Sequence, residues 1–198
     1  KETTAIGIEA SLTGHLVFAT LHTNSAPESV VRLLDMGMDP FNFADALLGV
    51  LAQRLAKRLC AKCKQSHVAT QDELKALLEE YSIELKHTES WKRDPKVAFE
   101  SLYREWVQTF ANDKGQFTLY SPVGCDVCNG SGYKGRVGLH ELLLGSDTIK
   151  KHIQEGSRVS EIVATALAEG MRTLKQDGIE KVLLGVTDMK QVRAVCIK

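Results

Sequence analysis

Four of the five cysteines in this 198-residue sequence form two Cys-x-x-Cys pairs. Cys60 and Cys63 make the first pair, Cys125 and Cys128 make the second, and 61 residues lie between the pairs. Two such pairs are the ligand set of a tetrahedral zinc site, in which each thiolate lies about 2.3 Å from the ion. Closing a loop of this length costs on the order of 3–4 kcal/mol, whereas structural zinc binding contributes about 10–16 kcal/mol. We therefore predict a structural Zn²⁺ site at these four cysteines.

Two other interpretations of the cysteine pairs are two disulfides and four unrelated buried thiols. A disulfide within a Cys-x-x-Cys pair would suit a redox protein, which also requires accessible thiols of low pKa. No thioredoxin-like pattern surrounds either pair. The fifth cysteine, Cys196, lies between Val195 and Ile197 and is predicted to be a small buried hydrophobic residue.

The charge balance argues against a nucleic-acid partner. Lysine and arginine together number 25, and so do aspartate and glutamate. No segment carries the basic excess that binding a phosphate backbone needs. The sequence has no apolar run of the roughly 18 residues that would span a bilayer, and we expect no signal peptide. We expect a cytoplasmic location and no transmembrane segment.

The elements before the first cysteine pair indicate the α/β class. Residues 2–12 suit a short helix, and the mostly apolar run 15–22 is predicted to be a strand buried on both faces, as in a parallel sheet. A polar start at 23–28 leads into a helix that Gly37 ends. A further helix is predicted to begin at Asp39-Pro40. Its apolar stripe is Ala44, Leu47, Leu48, Leu51, Leu55 and Leu59.

Between and after the cysteine pairs, helical patterns predominate. The insert contains predicted helices at 71–81 and 95–110, a charged and exposed link at 82–94, and a weak strand pattern at 115–120. The glycine-rich turn 129–136 is predicted to shape the second cysteine pair and to open a strand over 137–144. Four helices follow, at 147–154, 159–169, 174–184 and 187–195.

Two histidines, His15 and His22, bracket the predicted buried strand. In an extended strand they would lie about 23 Å apart, too far to bind one metal ion. In a doubly wound α/β domain, ligands bind beyond the carboxyl ends of the strands, where His22 would lie. The alternative is that both histidines are structural groups that cap a strand.

The motifs in their order resemble the secretion ATPase superfamily, specifically the type II secretion and type IV pilus assembly ATPases. The resemblance covers about residues 1–63 and 121–198, and the insert 64–120 matches only in position. The matching stretches are Thr13–Ala26 (the histidine box), Arg32–Gly37, Ala52–Leu55, Arg58–Cys60, Gly124–Cys128, Gly132–Arg136, Glu141, Gly170–Leu174, Asp177-Gly178 and Gly185–Thr187.

This resemblance implies a cytoplasmic hexamer that hydrolyses ATP with Mg²⁺ and powers pilus or pseudopilus assembly. Such a motor would be peripheral at the inner membrane through the platform proteins of the secretion or pilus system. The implied layout is the last part of a RecA-like nucleotide domain (1–59), a four-cysteine zinc subdomain with a helical insert (60–137) and a small helical domain (138–198).

The resemblance also implies roles for individual residues. His15 and His22 would be the box histidines, with His22 the better candidate for sensing the γ-phosphate or shaping a subunit contact. Arg32, Gln53 and Arg54 would lie in helices that the family shares, and no catalytic step is assigned to them.

The sequence departs from the family pattern at the phosphate-binding loop. No Gly-x-x-x-x-Gly-Lys-Ser/Thr motif occurs in it, and the acidic metal-positioning motif and catalytic Glu of the family would stand upstream of Lys1. We expect this sequence to be part of a longer polypeptide that hydrolyses ATP. The 198 residues alone are expected to be inactive, because phosphoryl transfer depends on the phosphate-binding loop, the acidic motif and the catalytic Glu. None of the 198 residues is assigned to ATP binding.

A non-enzymatic zinc module for protein interaction is the alternative. The stretch from Cys125 to Gly132 also resembles one repeat of the zinc domain of J-domain chaperones. That domain carries four such repeats, whereas this sequence contains one.

Overall fold

The computed structural model describes residues 2–196 and shows a mixed α/β protein. Its α-helices are α1 (Glu2–Leu12), α2 (Ala26–Asp35), α3 (Pro40–Ala46), α4 (Gln71–Ser82), α5 (Glu89–Arg93), α6 (Pro95–Phe110), α7 (Asp147–Glu155), α8 (Val159–Ala168), α9 (Leu174–Leu183) and α10 (Met189–Val195). Within the described range, none of them is long and apolar enough to cross a bilayer.

Four strands pair two by two. They are β1 (Gly49–Leu59), β2 (Gln65–Val68), β3 (Thr118–Ser121) and β4 (Tyr133–Leu144). β1 is hydrogen-bonded to β4, and β2 pairs with β3 in antiparallel register, from Gln65 opposite Ser121 to Val68 opposite Thr118. The β2–β3 pair brings the two ends of the insert together.

The chain divides into two compact units. Unit 1 consists of the residues up to Ala52 together with Glu141–Met171, and unit 2 consists of Gln53–His140 and the residues from Arg172 on. Within unit 1, α3 packs against α1 and α7, and α2 packs against α7 and α8. Within unit 2, α9 packs against α4, α10 and β3.

Most helix predictions are confirmed because their ends carry local capping signals. The Thr70 hydroxyl accepts a hydrogen bond from Glu73 N, and the Glu73 carboxylate accepts one from Thr70 N, which makes a capping box at the start of α4. The Asp94 carboxylate accepts from the first backbone N–H groups of α6, which begins with Pro95. The four predicted helices after residue 144 are present as α7 to α10.

The predicted buried strand at 15–22 is wrong. This segment has no strand structure, and its side chains are exposed, with Phe18 89% exposed. A strand buried on both faces needs hydrogen-bonded neighbours on both sides. The four strands of residues 2–196 pair only with each other. The apolar composition of the run therefore does not decide its structure in this chain.

The predicted helix from Asp39 to Leu59 is correct only at its start. The helix ends at Ala46, and the chain continues as strand β1, in which Leu51 and Leu55 are exposed. Gln53 and Arg54 therefore lie on a strand and not on a helix. Leucines at positions 47, 48, 51, 55 and 59 fit a helical stripe, but pairing with β4 favours the extended form.

The insert contributes most of the core of unit 2. Trp106 of α6 is 1% exposed and packs edge-to-face on Tyr81 of α4, with ring centroids 5.1 Å apart. Tyr81 donates a hydrogen bond to the Glu180 carboxylate of α9 (2.6 Å). Trp91 is also buried, so the link 82–94 is not wholly exposed as predicted. The cluster comprises Leu74, Leu77, Leu78, Tyr81, Trp91, Leu102, Trp106, Phe117, Leu119, Ile179, Val182, Leu183 and Val192.

Candidate metal centre

The four cysteines of the two predicted pairs come together in unit 2. Cys60 and Cys63 lie in the turn that follows β1. Cys125 precedes a short 3₁₀ turn, Asp126–Cys128, that lies between β3 and β4. The two-stranded pairing of β2 with β3 closes the insert, so both turns reach the same place although 61 residues separate them in sequence.

The sulfur positions fit one tetrahedral metal ion. The Sγ–Sγ distances are 3.9 Å for Cys60–Cys125, 3.8 Å for Cys63–Cys128 and 3.8 Å for Cys125–Cys128. All four sulfurs lie within 4.8 Å of one another. A tetrahedron with metal–sulfur bonds of about 2.3 Å has edges of about 3.8 Å. The cysteines are free, and a disulfide would need sulfurs about 2.05 Å apart.

Backbone N–H groups donate to the sulfurs and orient them. Gly124 N lies 3.3 Å from Cys63 Sγ, and the nitrogens of Cys125 and Gly132 each lie 3.2 Å from Cys128 Sγ. Such donors favour the thiolate, which is the form that binds metal. For Cys128, burial acts to raise the pKa, but these two N–H donors, together with hydrogen bonds from the Cys125 and Cys63 side chains, lower the pKa to about 6. Burial raises the pKa of the Cys63 thiol to about 11.

The loop between α9 and α10 holds the first cysteine pair in place. The Lys64 ammonium donates to the Gly185 carbonyl oxygen (2.7 Å), and Leu59 N donates to the Val186 carbonyl oxygen (2.9 Å). The Thr187 hydroxyl, itself buried, donates to the Lys57 carbonyl oxygen (2.8 Å). These hydrogen bonds join the residues on either side of the first cysteine pair to the loop between α9 and α10.

The glycine-rich turn shapes the second pair, as predicted. Gly132 has φ +76°, and a Cβ there would lie 2.5 Å from Pro122 Cβ. Its N–H reaches the Cys128 sulfur, and its carbonyl oxygen accepts from Cys60 N at 2.9 Å. Only glycine satisfies the backbone angle and the close approach together.

Gly132→Ala is expected to weaken metal binding at least about tenfold, because loss of a hydrogen bond that orients a metal-binding side chain costs roughly 10- to 100-fold in affinity. Gly130→Ala is the matched control, since Gly130 has φ +74° but no atom within 4 Å of an added Cβ. Competition with a chromophoric zinc chelator measures both affinities. Equal affinities for the two variants would contradict the proposed role of Gly132.

The two candidate histidines lie outside the metal centre. His15 is exposed, with Nδ1 3.2 Å from the Ala10 carbonyl oxygen and 3.4 Å from the Thr13 hydroxyl. His22 is also exposed, and its backbone carbonyl accepts a hydrogen bond from Arg32 of α2 at 2.8 Å. Neither histidine belongs to the ligand group found among residues 2–196. Their role in nucleotide sensing stays a prediction.

Glu141 is a structural anchor that the sequence analysis did not assign. Its carboxylate is buried in unit 1 and accepts a hydrogen bond from Ala26 N at 2.7 Å, at the first residue of α2. A carboxylate at a helix N-terminus accepts a hydrogen bond from an N–H group that has no partner within the helix. Its negative charge also interacts favourably with the positive end of the helix dipole. The signal in the sequence was a single acidic residue within the apolar strand pattern 137–144.

Fold and site together define a mixed α/β protein with a four-cysteine centre that can hold a metal ion. The family model described as "Type II/IV secretion system protein" matches residues 1–194. The chain belongs to this family.

Several curated relatives match nearly the whole chain. The type IV pilus assembly ATPase PilB of Thermus thermophilus is 41% identical over 198 residues, which are 100% of this chain and 19% of that protein. Type II secretion system protein E of Dickeya dadantii is 42% identical over 192 residues, 96% of this chain and 31% of that protein. Type II secretion system ATPase E of Vibrio cholerae is 37% identical over 196 residues, 98% of this chain and 32% of that protein. The chain thus spans a fifth to a third of these relatives.

Proposed function

We propose that this chain is the carboxy-terminal part of an ATP hydrolase that drives type II secretion or type IV pilus assembly. The observation that carries the proposal is identity of about 40% along the whole chain to proteins named as such ATPases. The resemblance noted in the individual motifs, including the histidine box and both cysteine pairs, agrees with it. Neither the J-domain chaperone interpretation nor a redox dithiol has comparable support.

Exposed apolar side chains in unit 1 support the view that residues 1–59 belong to a larger nucleotide domain. Single exposed hydrophobic residues are ordinary, but contiguous groups mark surfaces that another element covers. The exposed ones in unit 1 include Ile6, Leu12, Leu16, Val17, Phe18, Leu21, Leu48, Leu51, Leu142 and Leu144. We propose that other parts of a RecA-like domain cover them and pair with the segment 15–22.

In the proposed motor, Cys60, Cys63, Cys125 and Cys128 bind a structural Zn²⁺ ion. Zinc is the metal that a compact set of four thiolates favours. The ion would link the end of β1 to the turn before β4 and so fix the ends of the helical insert. This role is structural, because four protein ligands leave no coordination position for a substrate. The proposed layout remains a nucleotide-domain part (1–59), a zinc subdomain (60–137) and a helical domain (138–198).

ATP and Mg²⁺ would bind largely to residues of the longer protein. His15 and His22 are solvent-accessible, as a group that senses a γ-phosphate or a neighbouring subunit needs to be. We propose that the longer protein is a cytoplasmic homo-hexamer that reaches the inner membrane through the platform proteins of its secretion or pilus system.

The ATPase proposal predicts a sharp contrast between two preparations. The 198-residue chain is expected to show no Mg²⁺-dependent ATP hydrolysis above background, because it lacks a phosphate-binding loop. The protein encoded by the complete reading frame is expected to hydrolyse ATP, and deletion of its gene to abolish pili or secretion. Phosphate release measures the first two results. Turnover by the 198-residue chain would refute its predicted inactivity, and a complete protein without turnover would refute the motor.

A further inference from the structure

Helix α6 presents a partly exposed surface beside the side that it buries in the core of unit 2. Leu102 and Trp106 are buried in the core, and beside them lie two rows of side chains spaced four residues apart, of which Phe99 and Val107 also pack against the edge of the core. Phe99, Tyr103 and Val107 form an apolar row, and Lys96, Glu100 and Arg104 form a charged row beside it. We name these six residues the α6 face.

Two adjoining shallow grooves, both largely open to solvent, run along the α6 face. One has a volume of about 370 Å³ and is lined by Lys86, Trp91 and Pro95 together with Lys96, Phe99 and Glu100. The other has a volume of about 460 Å³ and is lined by Phe99, Glu100, Tyr103, Arg104 and Val107. They share Phe99 and Glu100, so they form one trough. From Lys96 to Val107 the trough follows about 16 Å of helix, the length of roughly three helical turns.

Aromatic side chains in the floor of the trough pack on buried rings. The Phe99 ring packs edge-to-face on the buried Trp91 ring, with centroids 6.4 Å apart, and Tyr103 packs on Phe117 at 6.3 Å. Tyr103 is nevertheless 39% exposed and Val97, next to the face, is 60% exposed. Partly exposed aromatic side chains that already pack on one side are common anchors of protein interfaces, because they bury much area on binding.

The rim of the trough is cationic. Lys86, Lys96 and Arg104 line it, and Glu100 is the only acidic residue among the lining residues. Within residues 2–196, none of these four charged groups takes part in an ion pair, although ion pairs form elsewhere on the same unit, such as Arg193–Glu80 at 2.8 Å. The cations are therefore available to a partner of opposite charge.

We propose that the α6 face binds an acidic amphipathic helix of a partner protein. The apolar row would receive hydrophobic side chains of that helix at i, i+4 and i+7, the spacing by which helices bind in grooves. Carboxylates on the flanks of the partner helix would pair with Lys86, Lys96 and Arg104. Charge pairs at a rim mainly set specificity and association rate, so the charge of the partner is the property to test.

Two synthetic peptides of the same length test the proposal on the 198-residue chain with zinc added. Both are alanine-based helices with leucines at i, i+4 and i+7; one carries glutamates on the flanks and the other lysines. Fluorescence anisotropy of labelled peptides measures binding. We expect the glutamate peptide to bind at least about tenfold more tightly than the lysine peptide, with a dissociation constant that increases with salt.

Charge reversal on the face provides the decisive variant. The double variant Lys96→Glu/Arg104→Glu is expected to weaken binding of the glutamate peptide at least about tenfold. The same variant is expected to bind the lysine peptide more tightly than the unmodified chain does. The matched control is Lys114→Glu/Lys190→Glu, which changes the net charge equally at exposed lysines of unit 2 that do not line the trough. Circular dichroism checks that both variants are folded.

Three results would overturn the proposal. The first is equal binding of the two peptides, the second is no binding at millimolar peptide, and the third is the same loss of affinity in the control variant as in the face variant. Sedimentation of the unmodified chain tests whether a second copy of this chain occupies the trough. A dimer that the face variant dissociates would assign the trough to a second copy of this chain and not to an acidic helix.

Discussion

Replacing Cys125 by alanine is expected to abolish stoichiometric zinc binding and to unfold unit 2. Four thiolates at tetrahedral spacing would bind the proposed ion, and loss of one ligand would remove a large part of a binding free energy of about 10–16 kcal/mol. That loss is comparable to the whole stability of an ordinary domain, about 5–15 kcal/mol. Elemental analysis of the unmodified chain should give one zinc per chain, and a chelator should reproduce the effect of the substitution in the circular dichroism spectrum.

Cys196→Ala is the matched control for the metal ligand. Cys125 and Cys196 are both half-buried in unit 2, but Cys196 lies outside the ligand group and packs at the edge of the core. We expect Cys196→Ala to retain one zinc per chain and to lose no more than about 1 kcal/mol of stability. An unmodified chain without zinc, whose spectrum a chelator leaves unchanged, would contradict the metal centre. The family relationship would be unaffected by that result.

Trp106→Ala is expected to lower the free energy of unfolding of unit 2 by about 3–5 kcal/mol. The indole is buried between Tyr81 and Phe110, with ring centroids 5.1 and 6.2 Å away, so its removal leaves a large cavity. The effect should appear as a lower urea midpoint, followed by circular dichroism in the presence of zinc.

Val97→Ala is the control, because it truncates an exposed side chain on the same helix α6. Val97 lies on the same helix and is 60% exposed, so its truncation should change the free energy of unfolding by less than about 0.5 kcal/mol. The comparison tests whether the insert is part of the folding unit. If Trp106→Ala were as mild as Val97→Ala, the insert would be an appended element and not the core that its contacts with α9 imply.

Local signals in the sequence predicted the helices of the insert and of the tail well. α4 and α6 both begin at a capping residue followed by a regular apolar stripe, and the stripe residues Leu74, Leu102 and Trp106 are buried. The cysteine spacing predicted which four side chains meet, because a metal site demands particular atoms and not a particular fold. The comparisons confirmed the family resemblance that the motifs carried.

The errors fall where long-range pairing decides the structure. Leu47 to Leu59 fits a helical stripe, yet residues 49–59 form a strand because β4 lies beside them. The run 15–22 has the composition of a buried strand but no neighbouring strand among residues 2–196. Backbone pairing of this kind depends on a partner distant in sequence, which a local window does not contain.

The sequence by itself determined which four cysteines come together, the family and most helices, because each of these depends on residue types at short, regular spacing. The tertiary structure alone decided that β1 is a strand and that the Glu141 carboxylate accepts a hydrogen bond from the first residue of α2. It also decided that the insert contributes most of the core of unit 2 while α6 keeps a partly exposed apolar trough with a cationic rim beside that core. These features depend on which surfaces are buried against each other, and burial is a property of the folded chain.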